Sequence, residues 1–204
     1  MIIESSEQLD GIDFAKGDDL IPLVIQHVDT GSLRMLGYAD RDALERTLTT
    51  GFVHFFSRSR GALWKKGETS GNTLSLISLH VDCDGDAALA LVTAGGPTCH
   101  SGAETCFDAR PFLDRLTAVV DQRAGALAAG QAGNSYTARL LADRNLRLKK
   151  LTEEAGELAV ACADEDRHEV ASEAADLLYH MIVACRAVGV RFEDVVKTLR
   201  ERHK

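Results

Sequence analysis

The sequence predicts two domains, an N-terminal mainly β domain of the α+β class over residues 1–110 and an all-α helical bundle over residues 111–204. The first half is rich in glycine and short apolar segments, whereas the second is rich in alanine and leucine at helical spacing. Residues 1–107 hold 8 Lys+Arg and 15 Asp+Glu, a net charge of −7, whereas the other residues hold 15 and 16. A chain of 204 residues has room for two hydrophobic cores.

Apolar segments bounded by turn residues predict strands in the N-terminal domain at residues 20–28, 52–56, 74–81 and 87–93. A helix is expected over residues 41–50, because Asp40 is a good N-cap and Gly51 a good C-terminal stop. Residues 57–72 are basic, rich in glycine and hydroxyl groups, and contain Trp64, the one tryptophan of the chain. Such a segment can bind phosphate or form a solvated surface loop, and its residue types alone leave both open.

Three aspartates alternate in the turn that follows the third of these strands, at Asp82, Asp84 and Asp86. Residues two apart on an extended backbone point to the same face, so these carboxylates can converge on a hard cation such as Mg²⁺. A solvated hairpin turn is the alternative. An EF-hand is excluded, because its glycine belongs at loop position six, whereas Gly85 is fourth, and the twelfth residue is Thr93 instead of glutamate.

Three cysteines of the same half, Cys83, Cys99 and Cys106, have the ligand chemistry of zinc. No fourth ligand is evident, and an open position for water is typical of catalytic zinc. Cys83 and Cys99 follow neighbouring strands, so we expect them to converge. The odd count of five cysteines predicts thiols or metal ligands in a reducing cytoplasm. Cys162 and Cys185 lie among small apolar residues and are interpreted as buried hydrophobes.

Helical spacing in the C-terminal half predicts four helices, at residues 112–120, 136–163, 165–188 and 192–202. Ser135 and Asp164 are the expected N-caps of the two long helices, and Gly189 ends the second of them. Residues 124–133 are rich in alanine and glycine and are expected to form a surface loop. This half is therefore expected to be a bundle.

The two long helices each carry acidic residues three positions apart, Glu154 with Glu157 and Glu173 with Asp176. Residues three apart share a helix face, so antiparallel packing would gather four carboxylates that repel one another without a cation. Mg²⁺ that also binds a polyphosphate is the usual solution. A solvated acidic face is the alternative, but these acids border apolar faces, which favours the metal.

The net charge of −8 argues against nucleic acid as the main partner. No apolar run approaches the length of a membrane span, and the first residues lack a basic-then-apolar leader pattern. A zinc deaminase of the nucleobase type is excluded, because no Cys-x-x-Cys pair occurs. We therefore expect a cytoplasmic protein with no membrane or nucleic-acid partner.

The two halves resemble two enzyme families. Residues from about 15 to 107 resemble phosphoribosyl-AMP cyclohydrolase, through Ser57-Arg58-Ser59-Arg60, Leu63-Trp64-Lys65-Lys66-Gly67-Glu68-Thr69-Ser70-Gly71, Asp82-Cys83-Asp84-Gly85-Asp86, and Gly96-Pro97-Thr98-Cys99-His100-Ser101-Gly102 with Cys106-Phe107. Residues from about 112 onward resemble phosphoribosyl-ATP pyrophosphohydrolase, through Ser135-Tyr136-Thr137, Glu153-Glu154-x-x-Glu157 and Glu173-x-x-Asp176-Leu177-Leu178-Tyr179-His180. The order is that of the bifunctional histidine-biosynthesis family.

The resemblance implies that the second half, a bundle of MazG-like fold, converts phosphoribosyl-ATP to phosphoribosyl-AMP and pyrophosphate, and that the first half then opens the adenine ring. It implies one zinc ion per chain on Cys83, Cys99 and Cys106. It implies Mg²⁺ on Asp82, Asp84 and Asp86, and Mg²⁺ on Glu154, Glu157, Glu173 and Asp176. The implied substrate-binding residues are Arg58, Arg60, Trp64, Lys66, Glu68 and Ser70. His100 is either a catalytic base or a structural neighbour of the zinc site.

The resemblance also implies a homodimer in which Cys83 of one subunit shares each zinc ion with Cys99 and Cys106 of the other. Two departures from the family pattern stand in the helices, where Thr152 replaces a usual glycine and Gly156 replaces a larger residue or alanine. Two alternatives remain in view. One is a structural zinc module fused to a helical dimerisation bundle, and the other is a general nucleotide pyrophosphatase bundle.

Overall fold

The computed structural model of the chain describes residues 1–107, 109–131 and 133–203. By its internal contacts the chain divides into two units, Met1–Pro111 and Phe112–Lys204. The predicted fold class is confirmed, because the first unit is built on β-sheets and the second on helices. Among the described residues, no helix is both long and apolar enough to cross a membrane.

The first unit contains seven described strands and one α-helix. They are β1 (Ile2–Ile3), β2 (Ile21–His27), β3 (Leu33–Ala39), α1 (Arg41–Thr50), β4 (His54–Ser57), β5 (Ala62–Lys65), β6 (Leu74–Val81) and β7 (Ala88–Ala94). Short 3₁₀ helices cover Ser6–Gly11 and Phe14–Gly17. The predicted helix α1 is confirmed: Asp40 accepts a hydrogen bond from the backbone N–H of Ala43, and Gly51 ends the helix with φ +72°.

Strands β1, β6, β7, β2 and β3 lie side by side in that order. All neighbours are antiparallel except β7 and β2, which are parallel. Strands β4 and β5 form a separate antiparallel ribbon. Every second residue of β2 is buried, so one face of the sheet covers the core. Its fully buried members include Leu23, Ile25, Leu44, Phe55 and Leu79.

The second unit contains the helices α2 (Phe112–Ala128), α3 (Tyr136–Ala142), α4 (Arg144–Ala163), α5 (Arg167–Ala187) and α6 (Phe192–Arg202). Its core gathers one apolar stripe from each of α2, α3 and α5, with Val120, Leu140, Leu141, Ile182 and Val183 fully or almost fully buried. Helices α4 and α5 pack on each other along most of their length. This pairing places the predicted acidic residues on facing helices.

Four expectations for this half are wrong. The loop expected over residues 124–133 begins later than predicted, because residues 124–128 belong to α2. Four of these five residues are alanine or leucine, which favour helix, and Gly125 costs only about 1 kcal/mol within it. The expected helix over residues 136–163 is two helices, because the Asp143 side chain accepts hydrogen bonds from two backbone N–H groups and begins α4.

The second long helix begins later than expected. Asp166, and not Asp164, caps α5 by accepting hydrogen bonds from the backbone N–H groups of His168 and Glu169. Asp164 instead ends α4, and Glu165 takes a left-handed backbone with φ +55°. The interpretation of Cys162 as a buried hydrophobe is also wrong, because Cys162 is exposed on α4.

Candidate active sites

A cavity of about 500 Å³ opens in the first unit between the segment that follows β5 and the segment that follows β7. The predicted site residues that line it are Arg60, Trp64, Lys66, Glu68, Ser70, Cys99, His100 and Cys106. Residues that the sequence did not single out also line it, among them Met35, Asn72 and Thr98. The β4–β5 ribbon positions Trp64, since Phe55 pairs with Trp64 across the ribbon and their ring centroids are 5.4 Å apart.

The turn after β5 gives this cavity its shape. Gly67 has φ +85°, and a Cβ there would lie 2.4 Å from the carbonyl oxygen of Asn72, so only glycine fits this close approach. The neighbouring Lys66 is 8% exposed, and its Nζ donates to the same carbonyl at 3.5 Å. The buried Thr98 hydroxyl has no hydrogen-bond partner among the described residues. A polar ligand in the cavity therefore has a buried hydroxyl to bind and an ammonium beside it.

Arg58 is the predicted substrate residue that lies outside the cavity wall. Its guanidinium carbon lies 3.8 Å from the centroid of the Tyr38 ring, a cation–π contact. Arg60 instead reaches the cavity and pairs with Glu68, with 3.7 Å between Nη1 and Oε1. The structure therefore brings Arg60 and Glu68 together and directs Arg58 to a different neighbour.

The thiols of Cys99 and Cys106 both line this cavity and are close enough to affect each other's pKa. Ser101 Oγ donates to Cys99 Sγ at 3.1 Å, and this hydrogen bond lowers the pKa of the Cys99 thiol. Burial, together with the neighbouring Cys99, raises the pKa of Cys106. The exposed His100 has its Nδ1 3.8 Å from Cys99 Sγ. Two soft ligands and one imidazole therefore lie together.

Cys83 does not join them within one chain, and the expectation that Cys83 and Cys99 converge is wrong. Strands β6 and β7 are antiparallel, with Val81 opposite Ala88 at the turn and Leu74 opposite Ala94 at the far end. Cys83 lies in the turn, whereas Cys99 follows the far end. The strand between them spans roughly 20 Å at about 3.3 Å per residue. Strands adjacent in the sheet therefore carry the two cysteines to opposite ends.

The aspartate turn has internal order of its own. One carboxylate oxygen from each of Asp82, Asp84 and Asp86 lies within 4.8 Å of the others. Asp82 Oδ1 accepts from the backbone N–H groups of Gly85, Asp86 and Ala87. Desolvation raises the pKa of Asp82, but these three hydrogen bonds outweigh it, so the pKa lies below its usual value. The turn is therefore built to keep Asp82 ionised.

A lysine that the sequence did not point to lies against this turn. Lys16 Nζ is 3.1 Å from Asp84 Oδ2 and 3.4 Å from Asp86 Oδ2. The hydrogen bond to Asp84 raises the pKa of Lys16. Lys16 is 68 residues from Asp84 in the chain, so no local pattern could have joined them.

In the second unit, one carboxylate oxygen from each of Glu154, Glu157 and Glu173 lies within 4.8 Å of the others. Among the described residues, Asp176, the fourth predicted ligand, lies outside this group. Its negative charge nevertheless raises the pKa of Glu173. Desolvation raises the pKa of Glu173, and the negative charges of Glu157, Glu154, Asp176 and Glu169 raise it further. The predicted convergence of α4 and α5 thus holds for three of the four acids.

Glu154 is the buried member of this group, 4% exposed, and two basic side chains contact it. Lys150 Nζ lies 2.5 Å from Glu154 Oε1 and 3.3 Å from Glu153 Oε1, and the contact with Glu154 raises the pKa of Lys150. His180 Nε2 lies 3.8 Å from the same Glu154 oxygen. Burial lowers the pKa of His180, although the charge of Glu154 opposes this effect.

A groove of about 1100 Å³ runs along α4 and α5 beside these acids. Glu153, Glu157 and Glu173 line it together with the apolar Leu148 and Val160. Gly156 also lines the groove, and a Cβ there would meet no heavy atom within 4 Å. The groove can therefore hold a molecule with both charged and apolar parts next to the acidic cluster.

Comparisons with known proteins bear on both units. A phosphoribosyl-AMP cyclohydrolase family model matches residues 35–108, and a phosphoribosyl-ATP pyrophosphohydrolase family model matches residues 115–203. The first match covers the cavity with Cys99 and Cys106, and the second covers the cluster of glutamates. Fold and sites together therefore define a two-domain hydrolase of phosphoribosyl nucleotides.

Full-length relatives carry the same pair of domains in their name, histidine biosynthesis bifunctional protein HisIE. The protein of Shewanella oneidensis is 44% identical over 197 residues, which cover 95% of this chain and 92% of the relative. That of Escherichia coli strain K12 is 40% identical over 205 residues, which cover 98% and 99%. That of Photobacterium profundum is 43% identical over 203 residues, which cover 94% and 96%.

The chain belongs to the bifunctional HisIE family of histidine biosynthesis, which joins a cyclohydrolase domain to a pyrophosphohydrolase domain. The resemblance inferred from the motifs is thereby confirmed. Both alternatives, the structural zinc module and the general nucleotide pyrophosphatase, are set aside by the same matches.

Proposed function

We propose that the two units catalyse consecutive steps, and that the second unit acts first. Family membership gives the chain both activities, and the product of one is the substrate of the other. The pyrophosphohydrolase releases pyrophosphate from phosphoribosyl-ATP, and the cyclohydrolase opens the adenine ring of the resulting phosphoribosyl-AMP. The observation that carries the residue assignment is that candidate metal ligands line the concave surface of each unit, Cys99 and Cys106 in the first and Glu157 and Glu173 in the second.

The glutamate cluster of the second unit fits magnesium. Three carboxylates within 4.8 Å of one another on packed helices repel one another. Desolvation and then this repulsion raise the pKa of Glu173. Glu154, Glu157 and Glu173 would hold Mg²⁺, with Asp176 completing the set; when bound, Mg²⁺ offsets the charge of the polyphosphate. A carboxylate of the cluster then orients the attacking water and accepts its proton. The adjoining groove receives the nucleotide.

The thiols of the first unit fit zinc, because Cys99 and Cys106 line the same cavity and the pKa of Cys99 is lowered. Cys99 and Cys106 would hold zinc together with Cys83 of a second subunit, and zinc when bound supplies Lewis-acid activation of the attacking water. His100, beside Cys99, accepts the proton of that water and returns it to the opened ring. Lys66 and Arg60 attract the phosphate, and Trp64, Glu68 and Ser70 line the nucleotide pocket.

The aspartate turn would hold Mg²⁺ for the 5′-phosphate, because Asp82, Asp84 and Asp86 present oxygens within 4.8 Å of one another. Arg58 would act from outside the cavity wall, at the approach to it. The distance between Cys83 and the other two thiols supports a homodimer with shared zinc sites. Small phosphoribosyl nucleotides are the partners, in the cytoplasm, with neither nucleic acid nor membrane.

Single substitutions that separate the two activities test this assignment. Glu154→Gln should lower pyrophosphate release by about 100-fold or more, because it removes a charge from the proposed magnesium site, and should leave ring opening of supplied phosphoribosyl-AMP intact. Cys99→Ser should do the reverse. Glu201→Gln and Cys162→Ser are matched controls at exposed helix positions and should change neither activity. Loss of both activities in either folded single variant would contradict the two-site assignment.

A further inference from the structure

Each of the two acidic clusters already carries an ammonium group of its own. Lys16 bridges Asp84 and Asp86, at 3.1 and 3.4 Å. Lys150 bridges Glu154 and Glu153, at 2.5 and 3.3 Å. One lysine comes from a distant segment and contacts two members of its cluster. The other comes from the same helix and contacts one member, Glu154, together with the adjacent Glu153 outside the cluster.

Among the described residues, no other ion pair reaches Asp84 or Asp86, and only Lys150 and His180 reach Glu154. Lys150 is the nearer of the two, with its Nζ 2.5 Å from Glu154 Oε1, against 3.8 Å for His180 Nε2. Each cluster is therefore balanced mainly by one lysine. A divalent cation that binds the same oxygens would lie close to that ammonium, and two like charges at such a distance repel strongly.

We propose that Lys16 and Lys150 are built-in counter-ions that a divalent cation must displace from the two clusters. This inference rests on the proposed magnesium sites and adds a property to them. Without metal, Lys16 joins two carboxylates of its cluster, and Lys150 offsets the negative charge of Glu154 beside Glu157 and Glu173. With metal, the gain from the new ligand bonds is reduced by the loss of the lysine contacts, so each lysine lowers the affinity of its own cluster.

Manganese binding to the full chain, measured by isothermal titration calorimetry, tests the proposal. One background, Asp84→Asn with Asp86→Asn, leaves the glutamate cluster, and the other, Glu154→Gln with Glu157→Gln, leaves the aspartate turn. In the first background Lys150→Met should tighten Mn²⁺ binding by about fivefold or more, because a close positive charge is removed. In the second, Lys16→Met should do the same.

Lys197→Met and Lys65→Met are the matched controls, because each removes the same charge from the same unit and neither residue is in an ion pair with the cluster among the described residues. Their effect should stay within about twofold, as expected for screened charges farther away. Met variants that bind Mn²⁺ no more tightly than these controls would overturn the proposal while leaving the magnesium sites standing.

If the wild-type chain and both backgrounds bind no Mn²⁺, the magnesium sites themselves fail and the counter-ion role fails with them. Circular dichroism checks that each variant is folded. Should Lys150→Met not fold, Lys150→Gln carries the same measurement, and the Lys16 arm is independent of it. If a Lys16 or Lys150 variant binds Mn²⁺ more tightly than its control variant does, the result supports the role of that lysine.

Discussion

His180 is a buried imidazole whose ring faces charged groups on both packed helices. Glu154, Glu153 and Lys150 approach from α4, and Asp176 lies on its own helix. Burial dominates and lowers its pKa, and its Nδ1 has no hydrogen-bond partner among the described residues. The folded second unit therefore holds His180 uncharged where the unfolded chain would bind a proton.

This arrangement predicts a pH-dependent stability. Because the folded-state pKa is lowered, the contribution of His180 is fully present above the unfolded value of 6.5 and is lost as pH falls through the folded value. Acidification from about pH 7.5 to about pH 5 should destabilise the wild type more than His180→Asn. Urea unfolding followed by far-ultraviolet circular dichroism, in chelator, measures the difference. His168→Asn, at an exposed position, is the control, and equal pH dependence in all three chains would contradict the prediction.

The sequence predicted which residues belong to the candidate sites, but it predicted only some of the contacts between them. The spacing of Glu154 and Glu157 on one helix predicted their shared face, and the structure brings Glu173 to them. Lys16 could not be predicted at the aspartate turn, because long-range packing alone brings it there. Lys150 was four residues before Glu154, a spacing typical of helical ion pairs, and that signal was available in the sequence.

At the scale of elements, regular patterns were predictable and irregular ones were not. The segments of β6 and β7 are apolar or alternate between apolar and polar residues, and turn residues bound them, so both strands were predicted. Strand β3 was missed because its alternation is inverted: Arg34 is buried, whereas Leu33 and Leu36 are exposed. Arg34 can be buried because its guanidinium donates to the carbonyl oxygen of Glu104 at 3.1 Å. A partner 70 residues away thus decides the exposure of this strand.

Helix α4 offers a test of intrinsic helix stability at Gly156, and α2 offers a matched position at Gly125. Both are exposed, and an added Cβ would meet no heavy atom within 4 Å at either. Gly156→Ala and Gly125→Ala should each raise the free energy of unfolding of the second unit by about 1 kcal/mol. Urea unfolding followed by the helical circular dichroism signal measures this.

Gly189 supplies the opposite control in the same unit. Its φ of +85° is one that alanine adopts poorly, so Gly189→Ala should destabilise by about 1–2 kcal/mol. A higher free energy of unfolding for Gly189→Ala, or a lower one for Gly156→Ala, would show that backbone conformational preference does not govern these positions.

At the scale of the whole molecule, the sequence was sufficient for the order of the two units and for their classes. The position of Cys83 relative to Cys99 was missed, because the expectation that they converge treated the two strands as neighbours without using their direction. The antiparallel register of β6 and β7 supplies that information. Because this register separates Cys83 from Cys99 within one chain, the proposed three-cysteine zinc site needs a second subunit.

Mixed dimers test whether two subunits share each zinc site. Chains with Cys83→Ser and chains with Cys99→Ser should each lack ring-opening activity. After exchange, about half of the dimers pair the two variants, and each such dimer has one intact site, so activity should return to about a quarter of wild type. Subunit exchange is verified by differently labelled chains. Verified exchange without recovery would mean that each chain binds zinc alone.

The strand order of the sheet also determines when its strands can pair during synthesis. Strand β7, with neighbours β6 and β2, is central in the sheet but is the last of its strands to leave the ribosome. Until then the β2–β3 hairpin and the β6 segment cannot join, and both expose unpaired edges that invite wrong pairing. The helices that follow contact mainly their neighbours in sequence, an arrangement typical of rapid folding. The nascent chain is therefore most vulnerable to aggregation just before residue 94 emerges.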